Sequence, residues 1–138
     1  MNYLEKALGN ITLARSTIRT YKELRFGRKE FISIAAFNSQ QAIEMILRYL
    51  VKERTNLVFD ECTLNDLMEN LEKDMVPKQV RDNIDKYSDW YEKNKELKTI
   101  VTREKDVKTA ILEAENWILN LEPSYKNKIT MVRNVYKV

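Results

Sequence analysis

Phe37-Asn38-Ser39-Gln40-Gln41-Ala42-Ile43-Glu44-Met45-Ile46-Leu47-Arg48-Tyr49-Leu50 lies inside a longer, largely apolar run from Phe31 to Val51, and its reading decides the fold. The apolar residues surround most of a helical circumference, which places this helix at the centre of a bundle rather than on its rim. Asn38, Gln41, Glu44 and Arg48 interrupt them at steps of three, three and four, so four polar side chains share one line. Burying such groups without partners costs on the order of 1 to 3 kcal/mol each. The line therefore faces water, a ligand or another chain.

Helical patterns flank this segment on both sides. Leu4, Ala7, Leu8, Ile11, Ala14, Ile18 and Tyr21 form a stripe that predicts a first helix from about Asn2 to Leu24. Phe26-Gly27 breaks it, and the central helix follows from about Arg28 to Arg54. Residues 55–62 read as a connector. Thr63 is an N-cap candidate for a short third helix carrying Leu64, Leu67, Met68 and Leu71. Pro77 opens a fourth helix with Val80, Ile84, Tyr87, Trp90 and Tyr91, and the polar stretch Glu92 to Thr102 reads as a loop. A fifth helix is expected from about Arg103 to Leu121, ended by Pro123. The expectation is an all-α, up-and-down bundle of four to five helices over residues 1–121, followed by a basic tail, 122–138. That tail carries Lys126, Lys128, Arg133 and Lys137 together with Ile129, Met131, Val135 and Tyr136, so it either packs back on the bundle or docks elsewhere.

Composition agrees with helices and narrows the chemistry. In 138 residues there are 2 Gly and 2 Pro, too few turn residues for many short strands. The single Cys62 has no disulfide partner, which fits a reducing, cytoplasmic setting. Met1 to Lys6 lacks a basic region leading into an apolar run, so no secretory signal is expected. No stretch reaches the roughly 18 to 20 apolar residues of a membrane span. The net charge of +3 is unevenly spread. Arg15, Arg19, Lys22, Arg25, Arg28 and Lys29 face Glu23 alone in one segment, while Asp60, Glu61, Asp66, Glu69, Glu72 and Asp74 face Lys73 alone in another. Such polarity can steer partners.

Gln41-Ala42-Ile43-Glu44 followed by Arg48-x-Leu50 resembles the signature helix of HEPN-domain proteins. Asn65-Asp66-Leu67 stands where that family often has His-Asp-Leu, and Tyr87 with Trp90-Tyr91 stands where it has an aromatic-rich helix. The resemblance covers about residues 1 to 121. It implies a helical bundle, commonly dimeric, of a kind often encoded beside minimal nucleotidyltransferases. Some members are metal-independent ribonucleases, of toxin–antitoxin or phage-defence type, in which an Arg is followed after four to six residues by a His. This chain contains no His at all. After Arg81 the corresponding positions hold Lys86, Tyr87 and Ser88, and after Arg103 they hold Lys108, Thr109 and Ala110. Tyr and Lys titrate near 10, so neither replaces an imidazole at neutral pH without a large shift. No catalytic residue, cofactor or metal is therefore assigned.

The candidate ligand- or partner-binding residues are Asn38, Gln41, Glu44 and Arg48. Against that stands a structural reading in which Glu44 and Arg48 form an i,i+4 ion pair and Gln41 bonds a neighbouring helix or a dimer mate. Arg15, Arg19 and Lys22 are candidate nucleic-acid contacts, with a solvated helix face as the alternative. Asp82, Asp85 and Asp89 share a helix face but lack the company a metal needs. Three functions follow from this reading: a non-catalytic, dimeric binding module for a nucleotidyltransferase, a nucleotide or RNA; a degenerate ribonuclease toxin; or a structural helical adaptor.

Overall fold

Asn2 caps the first helix by accepting a hydrogen bond from the Leu4 amide at 2.6 Å. From it the computed structural model, which describes residues 2–138, runs as a bundle of seven α-helices. They are α1 (Tyr3–Leu24), α2 (Arg28–Thr55), α3 (Leu64–Glu69), α4 (Lys78–Asp82), α5 (Ile84–Lys95), α6 (Glu104–Leu121) and α7 (Lys126–Val135). No strand occurs among the described residues. None of the helices is long and apolar enough to cross a membrane.

The scaffold is the antiparallel α1–α2 hairpin. Arg25 closes α1 in the left-handed conformation (φ 58°), and Gly27 follows at φ 69°. An added Cβ at Gly27 would stand 3.2 Å from the Phe31 ring, so this turn favours glycine for both conformation and space. Ala7, Ile11, Ala14 and Ile18 of α1 meet Ile32, Ala35, Ala36, Ile43, Ile46 and Leu47 of α2, all buried. The small side chains let the two long helices approach closely. Onto this pair α6 lays Val107, Ala110, Ile111, Ala114, Trp117 and Ile118, a stripe at helical spacing. The central position expected for α2 is realised on most of its circumference.

Three expectations are corrected. The single helix expected after Pro77 is two, because Asn83 interrupts it at φ −104°, ψ 10° and spends its side-chain amide on the Gln79 carbonyl. The second of these, α5, continues to Lys95, into the stretch expected to be a loop. Leu71 lies beyond α3, which ends at Glu69 after starting from a capping box between Thr63 and Asp66.

Residues after Pro123 pack back on the bundle. A short 3-10 turn, Pro123–Tyr125, leads into α7, and Tyr125, Ile129 and Val132 are buried. Charge fastens the same segment. Glu115 of α6, 0% exposed, takes Arg15 in a two-point pair at 2.8 and 2.9 Å and also accepts from Arg133 of α7 at 2.9 Å. Arg15 donates to the Tyr136 carbonyl at 3.3 Å and Arg19 to the Val135 carbonyl at 2.9 Å.

Candidate functional site

Along α2 the side chains of Phe37, Gln41, Glu44 and Arg48 form one wall of a cleft of about 690 Å³. The opposite walls come from the connector and α3 start, Asp60 to Thr63 with Asp66, and from Tyr91, Glu92, Asn94 and Lys95 of α5. The wall is a stripe at alternating steps of four and three, the spacing that keeps residues on one helix face. Gln41, Glu44 and Arg48 of the expected polar row therefore come together. Asn38 does not line the cleft: it sits one position round the helix from Phe37, and Phe37 takes its place in the stripe.

Within the wall the charges are partly settled. Glu44, 8% exposed, pairs with Arg48 at 3.2 Å and accepts from the Gln40 amide at 3.4 Å. Gln41 donates to Gln40 at 3.0 Å. Arg48 does more than pair with its helical neighbour. It donates to the Phe59 carbonyl, and to that of Asp60 at 3.5 Å, so it fastens the connector to α2. Gln40, fully buried, belongs to this network; its place beside Gln41 in an otherwise apolar segment was the available signal.

The rim is different. Asp60, Glu61 and Glu92 are exposed and enter no ion pair among the described residues. With Glu44 and Asp66 they set five carboxylates against Arg48 and Lys95, so the cleft is acidic. Tyr91 and Phe37 add aromatic surface to opposite walls. A smaller cavity of about 120 Å³, sharing Glu44, Cys62, Thr63, Tyr91 and Glu92, reaches the Ser88 hydroxyl, which is buried and has no protein partner. Burial pushes the Cys62 thiol up, more than the nearby Arg48 guanidinium lowers it, so the thiol stays protonated at neutral pH and is a poor nucleophile.

The other candidate residues lie elsewhere. Arg15 is 5% exposed and committed to Glu115, which withdraws it from any nucleic-acid surface. Arg19 pairs with Glu23 at 2.9 Å and Lys22 with Glu104 at 3.5 Å, though both side chains retain access to solvent. Tyr87, which occupies a position where the ribonuclease pattern asks for His, is buried edge-on against Trp90, with ring centroids 5.3 Å apart. Burial, with Glu113 and Asp106 nearby, pushes its phenol up to about 12. It remains a neutral core residue at physiological pH. Arg81 donates to the Val76 carbonyl and Arg103 pairs with Asp106, both local structural roles. Among the described residues no three His, Cys, Asp or Glu side chains are grouped to hold a metal ion.

A central helix with a polar stripe, an aromatic-rich α5 packed beside it and a closing α6 define a helical bundle with a polar cleft between α2 and α5. The family model of the HEPN domain matches residues 5–122, and the chain belongs to the HEPN family. No curated protein and no solved structure matches it.

Proposed function

We propose that this HEPN protein is a non-catalytic binding module whose partner is a protein, held at the α2–α5 cleft, in a cytoplasmic setting. The observation that carries this is the cleft itself: aromatic walls, a fastened Glu44–Arg48 pair and unpaired rim carboxylates. Surplus carboxylates repel a phosphate backbone, which nucleic-acid binders attract with Lys and Arg. Of the partners that family membership offers, a minimal nucleotidyltransferase therefore suits the cleft better than RNA or a nucleotide. A ribonuclease role is disfavoured on separate grounds. The chain has no His, and the raised Tyr87 phenol does not move protons near pH 7.

The test combines two assays on one preparation. Co-expression with a nucleotidyltransferase from an adjacent gene is expected to give a complex that survives gel filtration and is lost in Glu92→Lys with Tyr91→Ala. Labelled single-stranded RNA is expected to show neither cleavage nor tight binding. RNA cleavage that persists through purification and disappears in Tyr87→Phe would overturn the non-catalytic reading.

A further inference from the structure

Two connections meet at one end of the bundle. The Ile100 amide donates to the Ser33 hydroxyl at 2.8 Å, which seats the α5–α6 connection, residues 96–103, on the first turns of α2. Lys22 reaches Glu104 at 3.5 Å, so the end of α1 stands beside the start of α6. The α1–α2 turn and the α5–α6 connection therefore share this end.

Both present apolar side chains to water. Leu97 is 95% exposed, Val101 87% and Phe26 63%, and Leu24 is exposed as well. One such residue is ordinary, but several on neighbouring connections mark a surface that meets something apolar. Leu97 closes α5 in the left-handed conformation (φ 59°), its amide donating to the Asn94 carbonyl and that of Lys98 to the Lys93 carbonyl. Helices ordinarily carry Gly at that position. Neither the backbone nor packing within the chain calls for leucine there.

The same end is cationic. Arg25, Arg28 and Lys29 are exposed and enter no ion pair among the described residues, with Glu30 next to them. The other carboxylates nearby are taken: Glu23 by Arg19, Glu96 by Lys98, and Glu104 by Lys22 and Lys108. None of the exposed apolar side chains lines the cleft or the smaller cavity beside it, so they form projecting tips rather than a groove for a peptide. Leu24, Leu97 and Val101 are aliphatic and offer no face for stacking bases. Projecting aliphatic tips beside unpaired cations fit the headgroup layer of an anionic membrane, where the cations meet lipid charge and the tips leave water.

We infer that this end of the bundle docks on an anionic lipid surface, with Phe26, Leu97 and Val101 entering the headgroup layer and Arg25, Arg28 and Lys29 facing the lipid charges. The contact is peripheral, since no helix is long and apolar enough to cross. Arg48, which fastens the connector at Asp60, stands roughly 30 Å along α2 from Arg28. The acidic rim at Asp60 and Glu61 is thereby held off the membrane, and the cleft is left to its own partner.

Flotation of the full chain with vesicles tests it. The wild type is expected to rise with phosphatidylcholine and phosphatidylserine mixed three to one, to stay behind with phosphatidylcholine alone, and to bind more weakly as salt is added. Arg28→Glu/Lys29→Glu places acidic residues in the first turn of α2, where the helix dipole favours them, so it is expected to fold and to lose at least about tenfold in vesicle affinity. In Leu97→Gly/Val101→Ser the glycine suits the left-handed position, so the melting temperature is expected to equal or exceed that of the wild type while vesicle affinity falls about fivefold or more. Circular dichroism checks that both variants fold. A wild type that does not float with the anionic vesicles, or unchanged affinity in either folded variant, would overturn the proposal. Single-stranded RNA that binds the wild type tightly, releases Arg28→Glu/Lys29→Glu and is accompanied by no flotation would assign this end to nucleic acid instead. The reading of the cleft is tested apart: Glu92→Lys with Tyr91→Ala is expected to float as the wild type does, and loss of flotation there would move the lipid contact to the cleft.

Discussion

The Arg15–Glu115–Arg133 cluster, set between α1, α6 and α7, and the Glu44–Arg48 cleft, set between α2, the connector and α5, draw on the same residue types but are completed differently. Around Glu115 every strong donor has an acceptor inside the chain, and the carboxylate is wholly enclosed. Around Glu44 the inner pair is satisfied, while the rim built from the connector and α5 is left with unpaired carboxylates. A buried, saturated charge cluster fixes one arrangement of helices, here the seat of α7. An open one leaves interaction capacity that a partner can use. Burial and saturation, rather than charge itself, separate a clasp from a site.

The largest expected effect breaks the closed cluster. Glu115→Ala leaves Arg15 buried and both guanidiniums without their anion, a situation that costs about 3 to 5 kcal/mol. Urea unfolding measures it. Loss below about 1 kcal/mol would mean that Arg15 and Arg133 turn out to solvent and that burial of Ile129 and Val132, with the Arg19 hydrogen bond to the Val135 carbonyl, suffices to hold α7.

A middle-sized effect is expected at Arg48→Glu. Read from the sequence, this change costs only about 0.2 to 0.5 kcal/mol, the value for a like-charge pair on a solvated helix. In the folded chain both partners are nearly covered, at 12% and 11% side-chain exposure, and the guanidinium also serves the Phe59 and Asp60 carbonyls. The expected loss rises to about 2 kcal/mol. Thermal melting of Arg48→Glu beside Arg48→Met separates charge repulsion from loss of the carbonyl anchor, because the methionine removes the anchor without adding an anion. Equal melting temperatures for the two variants would assign the whole effect to loss of the guanidinium, its carbonyl anchor and its pair with Glu44, and none to repulsion.

Much of this architecture was legible from periodicity. The stripes of α1, α2 and α6 and the breaks at Gly27 and Pro123 are local signals, and each lies where helical spacing puts it. The split at Asn83 was not, since a single Asn inside an apolar helical pattern does not by itself mark a break. Gln41, Glu44 and Arg48 were legible as a row because they share a helix face. Asn38 was drawn into that row by counting threes, where the cleft alternates fours and threes. Partners across the fold carried no sequence signal: the pairing of Arg15 with Glu115 joins residues 100 apart, so Arg15 read as part of a basic surface. Asp60, Glu61 and Glu92 were visible as charges, but their convergence with α2 depends on how the connector is fastened by Arg48.

The smallest effect sharpens the comparison with a third, half-open cluster on the seam of α1 and α6. Glu104 pairs with Lys108 at 3.0 Å and with Lys22 at 3.5 Å. Burial acts to raise its carboxyl, but the hydrogen bond and charge of Lys108, with Lys22 behind, outweigh that and hold it below the usual carboxylate range. A carboxyl whose folded value is depressed contributes stability above its unfolded pKa, about 4.3, and loses it as pH falls through the folded value. Lys108→Met removes the nearer cation while keeping most of the aliphatic stem. The expected cost is about 0.5 kcal/mol at pH 7, the range of a partly solvated pair. Once pH has fallen through the folded value Glu104 is protonated in both proteins and the difference should close. Urea midpoints at pH 7, 4 and 3 check this. A difference that stays constant across that range would assign the role of Lys108 to packing of its stem against α1, and would place this seam with the closed cluster rather than between the two.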